Sequence, residues 1–243
     1  MSQRSPDLEG RVAAITGASS GIGEATARRL AAEGMDVAVG ARRGDRLGKL
    51  ADEIEAEHGV EALAVETDVR SMVDVHGFAD AVEDALGPVD LLFANAGTGE
   101  GGRVEATSEE AFETTIDVNL VGAFRTAKAF LPLIRDAEGT RTIVFTGSVS
   151  GTVPMAGSSA YVASKHGVRG FARSLAQEVA DEGIRTTAIN PGYVNTRWHE
   201  GHPRADDMVQ PEDVGELVVT LATMNDTAMI DDVRVWPAKM YSE

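Results

Sequence analysis

The sequence contains no cysteine, which excludes disulfides, thiolate nucleophiles and cysteine metal sites. Lysine is scarce: Lys49, Lys128, Lys165 and Lys239 are the only four, against 18 arginines. No apolar run approaches the roughly 20 residues a membrane helix needs, so no membrane partner is expected. The first residues, MSQRSPDLEGR, lack the apolar stretch of a secretory signal, and the expected location is the cytoplasm. Positive charge is in deficit: 22 basic residues face 39 acidic ones, for a net charge of −17. Such a field repels nucleic acid and anionic lipid, so nucleic acid is not an expected partner. An acid excess with few lysines is one way to stay soluble in strong salt. It is equally the mark of an ordinary acidic, arginine-biased protein, and both readings stay open.

What is present suits one large domain. A chain of 243 residues buries roughly 70–75% of its unfolded surface without staples. Short apolar runs at 12–16, 36–41, 62–67, 91–95, 142–146, 186–190 and 233–236 read as strands covered on both faces. Helical patterns lie between them at 22–33, 45–57, 71–85, 108–136, 159–182 and 211–224. Ser71 suits a helix cap, Pro132 lies late in its helix, and Pro211 suits a first helical position. This alternation predicts an α/β fold: a single doubly wound domain over 1–243, with a seven-stranded parallel sheet flanked by helices. Residues 1–9 read as a flexible tail.

Thr16-Gly17-Ala18-Ser19-Ser20-Gly21-Ile22-Gly23 follows the first strand and opens the first helix. Gly17 permits a sharp turn, Gly21 a close approach of backbone to a pyrophosphate, and Gly23 tight packing of helix on sheet. The helix N-terminus offers free N–H groups and a positive dipole end. In dinucleotide folds an acid about 20 residues past such a loop binds the adenine ribose of NAD. Here the count from Gly21 reaches uncharged Ala41, and Arg42 and Arg43 follow. Guanidinium groups grip phosphate oxygens at two points. The expected cofactor is therefore NADP(H), with Arg42, nearer the strand end, as the first choice for the 2′-phosphate.

Tyr161 and Lys165 stand four residues apart, on one face of a helix. An ammonium beside a phenol favours the phenolate, so Tyr161 is expected below its reference pKa near ~10, in a range useful for acid–base work. Ser148 follows the fifth strand and reaches the same crevice, where its hydroxyl is placed to hold a substrate oxygen. Asn119, in Asp117-Val118-Asn119-Leu120, is polar on an apolar stretch. His166 should face away from the crevice, because adjacent helical residues diverge by about 100°. Ser150 reads as a loop residue. His199-Glu200-Gly201-His202 lacks the spacing of a metal motif, and no metal is expected.

The G-x-x-x-G-x-G loop, Asp68-Val69, Asn95-Ala96-Gly97, the Tyr161/Lys165 pair, and Pro191-Gly192 with Val194 and Thr196 beyond occur in an order that resembles the short-chain dehydrogenase/reductase family over nearly the whole chain. The resemblance implies a Rossmann-type fold and a set of roles. Tyr161 would exchange the proton, and Lys165 would also bind the nicotinamide ribose. Ser148 would polarise the carbonyl, and Asn119 would hold a water in a proton relay. Asp68 and Val69 would contact adenine, and Asn95, Ala96 and Gly97 would close the fourth strand beside the cofactor. Pro191, Gly192, Val194 and Thr196 would flank the nicotinamide amide. Relatives are usually tetramers built through the two long helices, so a homotetramer or homodimer is expected.

The expected reaction is interconversion of a carbonyl and a secondary alcohol by hydride transfer, on a small-molecule substrate. Residues 195–210 should form the substrate lid, with Arg197, Trp198, His199, His202 and Arg204 hinting at a polar or hydroxy-acid substrate. One alternative is reduction of 3-oxoacyl groups on acyl carrier protein. Asp136, Glu138, Asp181 and Glu182, at the ends of the long helices, would repel so acidic a partner. Another alternative is a non-catalytic, cofactor-sensing regulator on the same fold.

Overall fold

The computed structural model describes residues 7–100 and 102–240. Seven strands form one parallel sheet: β1 Val12–Thr16, β2 Asp36–Ala41, β3 Ala62–Glu66, β4 Leu91–Ala94, β5 Thr142–Thr146, β6 Arg185–Pro191 and β7 Asp232–Val235. Their spatial order is β3-β2-β1-β4-β5-β6-β7. The order reverses between β1 and β4, which pair in parallel with Ala14 opposite Leu92. At such a switch point the loops leave in opposite directions and open a crevice at the carboxyl ends of the strands.

The helices are α1 Gly21–Ala32, α2 Gly44–His58, α3 Met72–Leu86, α4 Glu109–Ile116, α5 Gly122–Arg135, α6 Ser159–Glu178 and α7 Pro211–Ala222. Strand alternation sends β1 residues both ways. Ala13 and Ile15 pack with Leu30 of α1, Leu50 of α2 and Val218 of α7. Val12 and Ala14 join Phe78 of α3, Phe130 of α5 and Leu175 of α6. The result is three layers with a core on each face of the sheet. Phe78 and Phe130 meet edge to face at 5.1 Å, and burying each such ring contributes roughly 1.5–3 kcal/mol.

Ser71 caps α3 by accepting from the Asp74 N–H at 3.2 Å, and Pro211 opens α7. The long helix expected over 108–136 is interrupted. Residues Asp117–Val121 form a π turn between α4 and α5, although the backbone stays right-handed on either side. Such one-turn widenings re-aim a side chain without ending the helix. The tail expected at 1–9 also needs correction. Residues 1–6 lie outside the described residues, but Leu8 is buried in the α1/α2 core, and the Gly10 N–H donates to Gly34.

Candidate active site

The crevice over the β1/β4 switch encloses about 770 Å³. The loop after β1 forms its floor. Gly17 and Gly21 both have positive φ, at 70° and 62°, a backbone state that side chains rarely adopt. A Cβ on Gly17 would also stand 2.7 Å from the Ala96 Cα. The Asn95 amide ties this loop to β4 by donating to the Thr16 carbonyl at 3.1 Å. Ser20, the residue before α1, makes no side-chain cap. The first-turn N–H groups of α1 therefore have no side-chain acceptor, the arrangement an anion exploits.

Gly17, Ser19, Ser20, Gly21 and Ile22 line the crevice, as do Arg42 and Arg43, Asp68 and Val69, Asn95, Ala96 and Gly97, and Pro191, Gly192, Val194 and Thr196. Gly23 does not. It lies beneath the loop, where a Cβ would come within 2.6 Å of the Gly17 carbonyl oxygen, so its contribution is packing.

The two arginines after β2 differ. Arg43 reaches across to the glycine loop and donates to the Ser19 hydroxyl at 2.6 Å and the Ser20 hydroxyl at 2.8 Å. Burial, followed by the charges of Arg46, Arg197 and Arg42, holds its guanidinium below the usual range. Arg42 makes no such bond and stands nearer Asp68, whose carboxylate is gripped by Arg70 at 2.6 Å and held below the usual range by it.

At the other end of the crevice, α6 brings Tyr161 and Lys165 to one face. Lys165 is 3% exposed, and its ammonium donates to the Thr146 carbonyl at 2.7 Å and lies 5.6 Å from the centre of the Tyr161 ring. Burial pulls its pKa down to about 8. Burial also pushes the Tyr161 phenol up, while a hydrogen bond shared with Ser148 pulls it down less strongly. The expectation of a depressed tyrosine is thus reversed in this structure. Burial disfavours the phenolate more than the Ser148 hydrogen bond favours it, and it disfavours the charged form of Lys165 as well.

Ser148 begins a short 3₁₀ turn, where its hydroxyl accepts from the Ser150 N–H at 3.1 Å and its own N–H donates to Asn190 at 3.3 Å. Ser150 therefore supports Ser148 from below.

Asn119 sits behind this group rather than in the crevice. It is 2% exposed. Its amide donates to the Thr98 carbonyl and the Ser164 hydroxyl, each at 2.9 Å, and accepts from the Thr98 N–H at 2.7 Å. Both amide hydrogens are committed, so the side chain braces the Thr98 loop against α6. Ser164 and Thr98 were missed in the sequence. Ser164 had a signal, as a small polar residue on the buried face beside Lys165. Thr98 acts through its backbone and had none.

The segment expected as a lid carries two short 3₁₀ turns, Arg197–His199 and Ala205–Asp207, held by a bridge between Val194 and Val209. Trp198 stands edge-on to Tyr161 at 5.8 Å. Arg204 is bound to Asp207 at 3.1 Å and does not line the crevice. His166 is exposed and lines a separate polar cavity with Arg169 and Asp232.

The acids invoked against an acyl carrier partner lie elsewhere. Asp136 and Glu138 precede β5, and Asp181 and Glu182 precede β6. They stand at the amino edge of the sheet, opposite the crevice, where Glu182 pairs with Arg135 at 2.5 Å. They therefore say nothing about docking at the site.

Known proteins resemble this chain in sequence and fold. A family model described as short chain dehydrogenase matches residues 11–206. A putative ketoacyl reductase of Streptomyces coelicolor is 36% identical over 236 residues, covering 88% of this chain and 90% of the relative. Glycine betaine reductase ATRR of Emericella nidulans is 34% identical over 95% of this chain, but the chain spans only 19% of that protein. Among solved structures, the alcohol dehydrogenase of the archaeon Thermococcus sibiricus, complexed with 5-hydroxy-NADP, superposes with a TM-score of 0.89 at 35% identity, over 96% of this chain and 99% of that one. A metagenomic short-chain oxidoreductase in complex with NADP gives a TM-score of 0.82 at 33% identity, over 94% and 97%.

Proposed function

The chain belongs to the short-chain dehydrogenase/reductase family of oxidoreductases, and on that premise we propose that it uses NADP(H) to interconvert a ketone and a secondary alcohol on a small-molecule substrate. The observation that carries the reading is the convergence on one crevice of Tyr161, Lys165 and Ser148 at one end and unpaired arginines at the other. The donor set fits a phosphorylated dinucleotide: uncapped helix N–H groups, the Ser19 and Ser20 hydroxyls, and Arg42 and Arg43 just beyond Ala41, where an NAD enzyme would carry an acid. When bound, the nicotinamide supplies or accepts the hydride.

The chain's own groups manage the proton. The Ser148 hydroxyl holds the carbonyl oxygen. The Tyr161 phenol, kept neutral by burial, gives its proton to that oxygen as the alcohol forms. Lys165 holds positive charge beside the ring that would become phenolate, and binds the nicotinamide ribose. Asn119 positions α6 through Ser164. An intact site of this kind speaks against a purely regulatory role.

Residues 195–210 act as the substrate lid in this reading. Exposed Phe112 and Phe124, on the α4–α5 face, support assembly through that face into a homodimer or homotetramer, which light scattering after gel filtration tests. No helix among the described residues is long and apolar enough to cross a membrane, and cytoplasmic residence is proposed with the rest.

The test is nicotinamide absorbance with a ketone panel and both cofactors. NADPH should outperform NADH in kcat/KM; equal or better performance with NADH overturns the cofactor assignment. A second reading, reduction of 3-oxoacyl thioesters, is favoured by the likeness to the Streptomyces coelicolor protein. It requires activity on an acyl-carrier-bound 3-oxoacyl substrate to exceed that on every free ketone.

A further inference from the structure

The chain's acidic excess reverses around one end of the crevice. Most arginines pair with carboxylates, as Arg28 does with Glu53 and Arg125 with Asp117. Seven arginines among the described residues form no ion pair; Arg141, Arg185 and Arg234 are scattered, whereas Arg42, Arg43, Arg46 and Arg197 lie close enough together for the other three to act on Arg43. Three of this group come from the β2–α2 region. Arg197 comes from the segment after β6, yet it lines the same crevice as Ser19, Ser20 and Arg43, near enough for its charge to weaken the hold of Arg43 on its proton. Glu24 and Asp68 act on this group from a distance without forming an ion pair with it; the like charges repel one another, and an anion between them relieves that repulsion.

The neighbours of Arg197 extend the argument. The Thr196 methyl lies 3.2 Å from where a Cβ on Gly21 would stand, so the segment rests on the glycine loop. Trp198 reaches the opposite way, to the edge of the Tyr161 ring and within 3.0 Å of the Cβ position of Gly99. The His199 N–H donates to the Thr196 carbonyl at 2.8 Å, closing residues 196–199 into one turn. Within that turn, whatever fixes Arg197 also fixes Trp198.

We propose that Arg197 binds a phosphate of the dinucleotide, and that this contact sets Trp198 as the wall of the substrate site over Tyr161. The proposal rests on the cofactor reading above and adds a residue and a coupling to it. The substrate pocket is completed by that phosphate.

Hydrogen exchange with mass spectrometry, read separately on residues 17–23 and 195–209, tests the coupling. The probes are NADPH, 2′-phospho-ADP-ribose and ADP-ribose; the last two lack nicotinamide, so lid protection by them cannot come from the amide. Both segments should be protected by 2′-phospho-ADP-ribose. In Arg197→Ala, protection of 17–23 should persist at saturation while that of 195–209 is lost. NADPH should bind about 10- to 100-fold more weakly, as for loss of a charged hydrogen bond, and the substrate KM should rise with it. Arg197→Lys should restore part of both, since it returns the charge without the planar fork. Arg173→Ala, which removes an exposed charge paired with Asp231, should change neither. Lid protection by ADP-ribose as well supports a pyrophosphate contact, and protection only by the phosphorylated probe supports a 2′-phosphate contact. Protection of 17–23 with none at 195–209, or equal lid protection in Arg197→Ala, overturns the proposal and leaves the cofactor reading standing. No protection at 17–23 by any probe overturns both.

Discussion

Two buried cations stand at opposite edges of the same sheet. Arg185, at the amino edge, begins β6. Its guanidinium donates to the Met224 carbonyl at 2.6 Å, the Ala222 carbonyl at 3.3 Å and the Thr142 hydroxyl at 3.0 Å. It closes the carboxyl end of α7, where a positive charge suits the helix dipole, and it is not part of the crevice over the β1/β4 switch. Lys165, at the carboxyl edge, has one hydrogen bond to protein, to Thr146, and faces the crevice. Burial lowers the proton affinity of both. A buried charge is therefore no signal of function by itself. What separates the two is that the arginine's donors are taken up by the fold, whereas the ammonium keeps donors for something else.

The largest expected effect lies at the lysine's edge. Tyr161→Phe keeps the ring and removes the transferable proton, so turnover should fall at least ~10²-fold with cofactor affinity little changed. Near-normal turnover would remove Tyr161 from the mechanism.

The comparison itself is broken or kept by a matched pair. Lys165→Met should abolish activity to a similar extent while leaving Tm unchanged or raised, because a desolvated charge is replaced by an apolar chain. Arg185→Met should cost about 3 kcal/mol, roughly 6–12 °C in Tm, with activity per folded molecule retained. An Arg185→Met protein that melts normally but is inactive would erase the distinction.

A third measurement sharpens the contrast between neighbours at the cofactor end. Arg43→Ala should weaken NADPH binding about 10- to 100-fold, and Arg42→Ala by less, because only Arg43 is anchored on the glycine loop. The reverse order would restore the choice made from strand position alone.

A pH series comes next. Lys165 titrates at about 8 in the fold and near ~10.4 in the unfolded chain. Between those values the unfolded chain holds the extra proton, so stability should rise with pH across that window, by at most roughly 3 kcal/mol. Below about pH 8 both states are protonated and the cost of the buried ammonium is fully felt. Lys165→Met should flatten the rise, and wild-type ketone reduction should decline above about pH 8 as the ammonium is lost. The smallest expected change concerns the surface. If the net charge of −17 is an adaptation to salt, Tm should climb by several degrees between about 0.1 and 2 M KCl as the Debye length shrinks to roughly 3 Å. A flat curve favours the ordinary acidic reading.

Much of this was legible in the chain. Val12–Thr16 and Asp36–Ala41 match their strands residue for residue, because runs covered on both faces must be apolar throughout. The glycine loop and the Tyr161/Lys165 spacing announced the two ends of the crevice. The π turn at Asp117–Val121 was not legible, since a single added backbone position leaves the apolar period nearly intact. Nor was the direction of the Tyr161 shift, which depends on how much water the fold removes. The helix-end acids were misplaced because their position along the chain does not reveal which edge of the sheet they occupy.

The pairing of α1 with α7 bears on how the chain is made. Leu30 of α1 and Val218 of α7 share a core, and Arg29 reaches Glu216 at 2.5 Å. The first α-helix of the described residues is thus covered by α7, which is made more than 170 residues later. Until α7 emerges, α1 carries an uncovered apolar stripe, and β1 waits for β4 to supply its second neighbour. A nascent chain stopped before residue 211 should bind holding chaperones and resist only mild proteolysis. Release of α7 from the exit tunnel should be the event that ends both.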